Sequence, residues 1–308
     1  MVRALTLRLL LVVPANSAVP AALVLGFHGQ GYSPESWPAF PRLRGLARAT
    51  GVVFAAPAGI DEGDPGWNCG AAANVEVCDP GTQGACLRSC EKLKRCGRCN
   101  WATCYDDVFF VEKMFDYIRA KRCVDDARTF AIGVSNGGML VHLLSQKLLG
   151  MFKAMAAVFA SPLLGFALEG DDERLRQTSL FQLLDMSDET IPWRLQRRPK
   201  TAAWAAVHRC DVAATPVKTP FTGGETHVDC FEHRHCSEGR VGRCMRAAAS
   251  GYDGGHGEWP SESRGERLVW SFFGLSKNET TACDIKYIVQ RFRSPDVPPG
   301  CGRDKSVY

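Results

Sequence analysis

The sequence predicts an α/β protein with a mostly parallel sheet covered by helices on both faces. Short continuous apolar runs, which are typical of buried parallel strands, alternate along the chain with longer segments of helical periodicity. Strands and helices that alternate in this way form a parallel sheet through right-handed crossovers. In addition, one predicted strand runs through Gly-Val-Ser-Asn-Gly at residues 133–137 directly into a predicted helix.

The strands are predicted from apolar runs that end at polar residues, glycine or proline. Residues 5–14 alternate partly between apolar and polar side chains, which predicts an edge strand. A further strand ends in the sequence Phe130-Ala131-Ile132, just before the Gly-Val-Ser-Asn-Gly turn. Residues 211–255 are predicted to form loops and edge strands. The remaining buried strands are predicted at residues 22–27, 52–56, 155–160 and 180–186.

The helices are predicted from apolar residues that recur every three or four positions. The clearest is the segment 105–120, whose apolar face carries Val108, Val111, Met114, Phe115 and Ile118. Further helices are predicted at residues 40–49, 139–149, 201–208 and 266–275.

No periodicity is found between residues 61 and 103, where glycine, cysteine and basic residues dominate. A stretch of this length needs covalent cross-links to be ordered. We therefore predict one domain at residues 1–275 that contains a Cys-rich, disulfide-stapled insertion at about residues 69–104. Residues 276–308 are predicted to be a polar C-terminal tail.

The overall composition is that of an ordinary globular protein of 308 residues, with 45% hydrophobic and 23% charged residues. The formal net charge of +4 is mild and the basic residues are scattered, so nucleic acid is not an expected partner. No segment has the length and hydropathy of a membrane-spanning helix, and no membrane partner is expected. The oligomeric state stays open.

Cysteine usage points to an oxidising compartment. The chain has 14 cysteines, an even number and far more than a cytosolic enzyme usually carries. Residues 278–280 form an N-glycosylation acceptor, Asn-Glu-Thr, which agrees with secretion. The first 18 residues resemble a signal peptide only superficially, because Arg8 interrupts the apolar run. We therefore expect a secreted protein whose export signal is absent or lies upstream of Met1.

The insertion holds seven cysteines: Cys69, Cys78, Cys86, Cys90, Cys96, Cys99 and Cys104. Cys96 and Cys99 have the spacing of half a zinc site, but the second half is poorly spaced. Disulfides are favoured over zinc, and the odd count predicts that one bond leaves the cluster, with Cys123 as a candidate partner. A second metal-like pattern is discounted in the same way; it comprises Cys230, His233, His235 and Cys236. No metal and no cofactor are predicted.

The strand, turn and helix around residues 133–137 have the form of a nucleophile elbow. A serine hydroxyl is a poor nucleophile unless a tight turn lifts it clear of the sheet toward a base. Gly133 and Gly137 would leave room for the crossing backbone, and the helix would direct N–H groups at developing negative charge. Ser135 is therefore the candidate nucleophile. The alternative is a Gly-rich turn with an incidental serine.

A serine nucleophile needs a base and an acid that orients the base, and after such an elbow the acid comes before the histidine. Asp188 follows the predicted strand 180–186 and is the candidate acid, with Asp185 and Glu189 as local alternatives. His256 lies in a Gly-rich loop before the last helix and is the candidate base. The other downstream histidines fall in helices or in a Cys-flanked loop: His142, His208, His227, His233 and His235.

The sequence His28-Gly29-Gln30-Gly31 follows the first buried strand. Glycines at this point allow the backbone to approach a substrate closely. The N–H groups of Gln30 and Asn136 are predicted to form an oxyanion hole, in which the side chain of Gln30 would matter little. His28 is predicted to pack under the loop rather than to act as a second base.

Over about residues 5–275 the chain resembles the polyhydroxybutyrate depolymerase-like esterase family, which includes feruloyl and acetylxylan esterases. The resemblance rests on motifs in a shared order: Val13-Pro14, Leu25-Gly26-Phe27-His28-Gly29, Gly66-Trp67-Asn68, Asp106-Asp107-Val108, Gly133-Val134-Ser135-Asn136-Gly137-Gly138-Met139, Ser187-Asp188, and Gly254-Gly255-His256 with Trp259-Pro260. The elbow motif and the Gly-Gly-His before Trp-Pro are the most specific. The chain departs from the family at Asp185-Met186, where the family usually has His-Gly, and in its insertion and tail.

The resemblance implies an α/β-hydrolase fold with Ser135, Asp188 and His256 as a catalytic triad. It implies a serine carboxylic ester hydrolase that acts through an acyl-enzyme, with hydroxycinnamoyl (ferulate-type) esters on polysaccharide as first candidate substrates. Polyhydroxybutyrate and acetylated xylan are the alternatives. Two other classes of function stay open. A catalytically inactive carbohydrate-binding protein would require a broken triad position, and a zinc-dependent regulator would require metal in the cysteine cluster.

Overall fold

The computed structural model describes residues 5–14, 20–69, 89, 103, 105–161, 173–191, 200–217, 228–246, 256, 264–275 and 283–292. Nearly all of the predicted Cys-rich insertion lies outside the described residues. Within them the chain forms a ten-stranded sheet with helices on both faces. This confirms the predicted α/β class.

The strands are β1 (Leu5–Pro14), β2 (Ala21–Phe27), β3 (Val53–Pro57), β4 (Val124–Val134), β5 (Ala154–Val158), β6 (Ser179–Asp185), β7 (Ala214–Val217), β8 (Val228–His233), β9 (Val241–Arg246) and β10 (Cys283–Phe292). The helices in the described part of the chain are α1 (Phe40–Thr50), α2 (Asp107–Lys121), α3 (Asn136–Lys147), α4 (Glu173–Arg176), α5 (Lys200–Val207) and α6 (Arg264–Phe272).

The sheet is parallel at its centre and antiparallel at both edges. Its order is β10-β1-β3-β2-β4-β5-β6-β9-β8-β7. The strands from β3 to β9 in this order are mutually parallel, while β1, β10, β8 and β7 pair antiparallel with their neighbours. The carboxyl ends of β2, β4 and β6 therefore lie along the same side of the sheet, where crevices for ligands form in folds of this kind.

Two hydrophobic cores lie on opposite faces of the sheet. Strand β2 feeds both, because its alternate side chains point to opposite faces: Leu23, Leu25 and Phe27 enter one core and Ala22 and Val24 the other. Helices α2, α3 and α5 cover the first core, and helices α1 and α6 cover the second. Burial on both faces explains why the central strands read as continuous apolar runs.

The C-terminal segment differs from its prediction. Residues 283–292 form β10, which pairs with all of β1, from Leu5 opposite Phe292 to Pro14 opposite Cys283. The polar-tail prediction is therefore wrong for these residues, and β1 is the second strand rather than an edge strand. The segment mixes apolar and charged residues without a clean alternation. Its strand conformation depends on pairing with β1, which no local pattern reports.

Two disulfides hold the antiparallel edge formed by β7, β8 and β9. Cys230 on β8 is bonded to Cys244, which lies directly opposite on β9. Cys210, after α5, is bonded to Cys236 in the turn between β8 and β9. These bonds occupy the sulfurs of the second metal-like pattern, Cys230 and Cys236, in agreement with the prediction of disulfides there.

The predicted link from the insertion to Cys123 is wrong, because Cys123 is an exposed free thiol. Cys69 is also a free thiol, and it is buried. Without Cys69 the insertion holds an even number of cysteines, so the argument for a bond leaving it no longer applies.

Candidate active site

Ser135 stands at a sharp turn between β4 and α3. Its backbone has φ 54° and ψ −121°, a conformation that is rare for a residue with a side chain. The turn is too tight for larger neighbours, because a Cβ on Gly133 would lie 2.1 Å from the carbonyl oxygen of Gly137. A Cβ on Gly137 would in turn lie 2.3 Å from the carbonyl oxygen of Phe27. This is the geometry of a nucleophile elbow, and α3 begins at Asn136, the next residue.

Ser135, His256 and Asp188 form a continuous chain of hydrogen bonds. The Oγ of Ser135 lies 2.6 Å from Nε2 of His256, and Nδ1 of the same ring lies 2.8 Å from Oδ2 of Asp188. Because a carboxylate can only accept, Nδ1 carries the imidazole proton and Nε2 accepts from the serine hydroxyl. Ser135 is 7% exposed, and the His256 side chain is 18% exposed above a fully buried Asp188 carboxylate. The structure thus brings together the three side chains that the sequence predicts.

Asp188 is positioned by the turn that follows β6. Its second oxygen, Oδ1, accepts from the amide N–H of Ile191 at 2.8 Å. The alternative acid, Asp185, lies at the end of β6 and accepts from the N–H and the hydroxyl of Ser187 at 2.8 and 2.7 Å. Glu189 is exposed on the same turn. Of the three candidates it is therefore Asp188 whose carboxylate reaches the imidazole of His256.

The loop at residues 28–31 lies beside Ser135. A Cβ added to Gly29 would be 3.4 Å from Cβ of Ser135. Gly31 has φ +80°, which favours glycine, and its N–H donates to the carbonyl of Pro65 at 2.7 Å. The side chain of Gln30 is also engaged, because its amide donates to the carboxylate of Asp64. The two backbone segments predicted to supply the oxyanion hole are therefore adjacent, and the Gln30 side chain anchors one of them.

His28 is a buried structural residue, as predicted. The N–H of Gly59 donates to its Nε2 at 2.9 Å, so Nδ1 carries the proton and donates to the carbonyl of Gly29 at 2.8 Å. Burial lowers the pKa of His28 to about 4, since desolvation disfavours the imidazolium. The ring therefore stays neutral at physiological pH and supports the loop.

Three of the other described histidines, His208, His233 and His235, are hydrogen-bonded to loop residues rather than to Ser135. His233 is bonded through Nδ1 to the carbonyl of Asp211, and His235 to the Asp211 carboxylate. His208 is bonded to the carbonyl of Glu238, and burial lowers its pKa. His142 is buried in α3, and His227 lies outside the described residues.

A layer of contacts behind the elbow is not predictable from the motifs alone. The side chain of Asn136 accepts from the N–H of Trp67 at 2.7 Å, and its amide donates to the Trp67 carbonyl at 3.3 Å and to the Cys69 sulfur at 2.9 Å. Burial, with a contribution from Asp107, raises the pKa of the Cys69 thiol well above its usual range. The available signal was the Gly66-Trp67-Asn68 motif, to which the sequence assigns no role.

Within the residues that the structure describes, no group of three or more His, Cys, Asp or Glu side chains is placed to hold a metal ion. The zinc alternative at Cys96 and Cys99 lies outside those residues. No helix of the described ranges is both long enough and apolar enough to cross a membrane.

Comparison with known proteins identifies the fold. No protein-family model matches the sequence, and a search of curated proteins finds no match either. Among solved structures the chain is similar to an acetyl xylan esterase from Aspergillus awamori, with a TM-score of 0.57 and 13% identity over 88% of this chain and 94% of that one. It is also similar to a thermostable esterase, with a TM-score of 0.51 and 15% identity over 90% of this chain and 63% of that one. These similarities confirm the predicted α/β-hydrolase fold.

Proposed function

We propose that this protein is a serine carboxylic ester hydrolase that works through an acyl-enzyme. The observation that carries the proposal is the hydrogen-bonded chain from Ser135 through His256 to Asp188 at a nucleophile elbow. Both solved structures described above are esterases that share this fold. Fold alone does not specify chemistry, so the proposal depends on the side chains rather than on the likeness.

In the first half of the reaction, the Oγ of Ser135 attacks the ester carbonyl carbon while Nε2 of His256 takes the hydroxyl proton. Asp188 keeps the proton on Nδ1 and stabilises the imidazolium that forms. The carbonyl oxygen becomes an anion, which the backbone N–H groups of Gln30 and Asn136 bind. When the tetrahedral intermediate collapses, His256 returns the proton to the leaving alcohol.

In the second half, water attacks the acyl group on Ser135 and His256 again acts as the base. The carboxylic acid leaves and the serine hydroxyl is restored. This reaction requires no cofactor, because His256 carries out all the proton transfers.

For the substrate we favour esters attached to polysaccharide, with hydroxycinnamoyl (ferulate-type) groups first. This choice follows the motif resemblance to the polyhydroxybutyrate depolymerase-like family, which includes feruloyl esterases. Acetylated xylan is the second candidate, and the similarity to an acetyl xylan esterase favours it. Polyhydroxybutyrate is the third. An extracellular location would suit such substrates, and the two disulfides at the β7–β9 edge agree with an oxidising compartment.

The test is hydrolysis of p-nitrophenyl acetate, methyl ferulate, acetylated xylan and polyhydroxybutyrate by the full chain, before and after Ser135→Ala. We expect that substitution to lower kcat/KM by at least ~10⁴-fold and to abolish labelling by a fluorophosphonate. The matched control is Ser145→Ala, a buried serine on α3 whose hydroxyl donates to the His142 carbonyl. It should keep both activities.

Unchanged turnover in the Ser135→Ala variant would overturn the assignment. A wild-type protein that neither reacts with the fluorophosphonate nor releases any acid would instead support the non-catalytic carbohydrate-binding alternative.

A further inference from the structure

We propose that Trp67 is a positioning residue that sets the spacing between the two halves of the oxyanion hole. The inference rests on the proposed function, because it concerns how the N–H groups of Gln30 and Asn136 are held. These two groups belong to different elements, the loop after β2 and the first turn of α3. Trp67 is fully buried between them and is bonded to both.

On one side, Trp67 is bonded to the residue after the nucleophile. The carboxamide of Asn136 bonds both the N–H and the carbonyl of Trp67, at 2.7 and 3.3 Å. Asn136 is itself fully buried, and the sulfur of Cys69 donates to its backbone carbonyl at 3.4 Å. A side chain with bonds at both ends cannot rotate freely. The first turn of α3 is thus fixed relative to the segment 67–69.

On the other side, the indole of Trp67 holds the loop after β2. Its Nε1–H donates to the carbonyl of His28 at 2.9 Å. The ring also packs on the His28 imidazole, with centroids 4.9 Å apart, and edge-on against Phe27 at 5.5 Å. The His28 carbonyl belongs to the residue two positions before Gln30. The indole therefore controls where the loop carrying the Gln30 N–H begins.

The segment that carries Trp67 is anchored in turn on α2. The N–H of Asn68 donates to the carboxyl group of Asp107 at 2.5 Å, and the Asn68 side chain donates to the carbonyl of Tyr105 at 2.5 Å. Asp107 lies in the first turn of α2 and is buried. The position of Trp67 is therefore fixed by α2, independently of the loop after β2 and of the first turn of α3.

Oxyanion stabilisation needs both donors about 2.7–3.1 Å from the position that the anion will occupy. A displacement of about 1 Å at such a site is enough to cost on the order of 100-fold in rate. Loss of the indole donor should let the 28–31 loop relax away from α3. This movement would weaken the stabilisation of the oxyanion in the transition state and leave substrate binding unchanged. We therefore expect kcat to fall while KM stays the same.

The experiment uses Trp67→Phe in the full chain, which keeps an aromatic ring and removes the indole N–H. Active-site titration with a fluorophosphonate counts folded sites, so that rates are expressed per competent molecule. Affinity is measured for an aryl trifluoromethyl ketone. Ser135 adds to its carbonyl carbon, the serine proton passes to His256, and the ketone oxygen becomes the anion in the hole.

We expect kcat per titrated site to fall about 10- to 100-fold with KM unchanged, and affinity for the ketone to fall by the same factor. The control is Trp270→Phe, in the core on the opposite face. It also loses a buried indole and its hydrogen bond, to the Thr50 hydroxyl at 3.3 Å. It should keep wild-type kcat and ketone affinity per titrated site.

Three results would overturn the inference while leaving the proposed function intact: an unchanged kcat, a change in KM alone, or a lower kcat without loss of ketone affinity. If Trp67→Phe does not fold, Asn136→Ala decides, since it keeps the backbone N–H and removes the clamp on Trp67. It should show the same paired loss, and wild-type values in it would overturn the inference. A wild-type protein without reaction toward ester, fluorophosphonate or ketone would contradict the proposed function itself.

Discussion

At the residue scale, the end of β6 and the turn that follows it carry two buried carboxylates whose surroundings differ. Asp188 divides its oxygens between the imidazole of His256 and the N–H of Ile191. Asp185 accepts from the N–H and hydroxyl of Ser187 and so orders the turn itself. Two acids three positions apart thus have different partners, although the sequence makes them near equivalents.

This difference predicts that two isosteric substitutions will change kcat by very different amounts. Asp188→Asn should lower kcat by about 10³- to 10⁴-fold, because an amide cannot hold the imidazole in the tautomer that accepts the Ser135 proton. Asp185→Asn keeps an acceptor for Ser187 and should change kcat by less than about 10-fold. Both are measured on p-nitrophenyl acetate per titrated site. The reverse pattern would assign the acid to Asp185.

The sequence could predict the candidate nucleophile, acid and base because each sits in a local pattern: an elbow, a strand end and a Gly-rich loop. It could not predict the contacts of Trp67. They join the loop after β2 to the start of α3, and those segments are neighbours only because β2 and β4 pair in the sheet. Contacts of this kind depend on which strands pair in the folded protein, so they produce no periodic pattern in the amino-acid sequence.

At the element scale, the sequence predicts buried strands more accurately than exposed ones. It predicts a strand at residues 180–186, and β6 lies at Ser179–Asp185. The agreement is close because a strand buried on both faces has a continuous apolar run. Strand β4 begins earlier than its apolar run, at Val124. Its first five residues are partly or fully exposed and include the charged Asp125, Asp126 and Arg128, so they have no apolar run that would predict a strand.

Asp107, the first residue of helix α2, is expected to make the free energy of unfolding depend on pH. Asp107 is buried, and desolvation raises its pKa from the ordinary 3.8 to about 7. The neighbouring charge of Asp106 acts in the same direction, while hydrogen bonds from Asn68 and Thr103 oppose it. Between these two values the folded protein retains a proton that the unfolded chain has released. The free energy of unfolding therefore falls as pH rises through this window.

We expect Asp107→Asn to remove this dependence. The free energy of unfolding of the variant minus that of the wild type should rise by roughly 2–4 kcal/mol from pH 4 to pH 8. Urea unfolding at several pH values measures it, and taking the difference cancels other titrating groups. One of these is His28, whose lowered pKa gives a slope of the opposite sign. A difference that does not vary with pH would show that Asp107 is ionised in the folded protein throughout.

At the scale of the whole molecule, β10 is the outermost strand at one edge of the sheet, and the sequence analysis places this segment outside the domain. Pairing with β10 covers the full length of β1, whose residues Leu9 to Val12 are buried. Without β10, the outer N–H and carbonyl groups of an apolar strand would be unpaired. Such an edge is a template for association with another chain.

A chain that ends at Leu275 should therefore aggregate and melt about 5–10 °C below the full chain. Size-exclusion chromatography and thermal unfolding measure this. The matched control is the full chain with Cys283→Ser and Cys301→Ser, which loses the same two cysteines and keeps β10. It should elute as the wild type does, because it keeps the main-chain pairing of β10 with β1. If the shortened chain elutes and melts as the full chain does, residues 276–308 are dispensable, and the domain ends at residue 275 as predicted from the sequence.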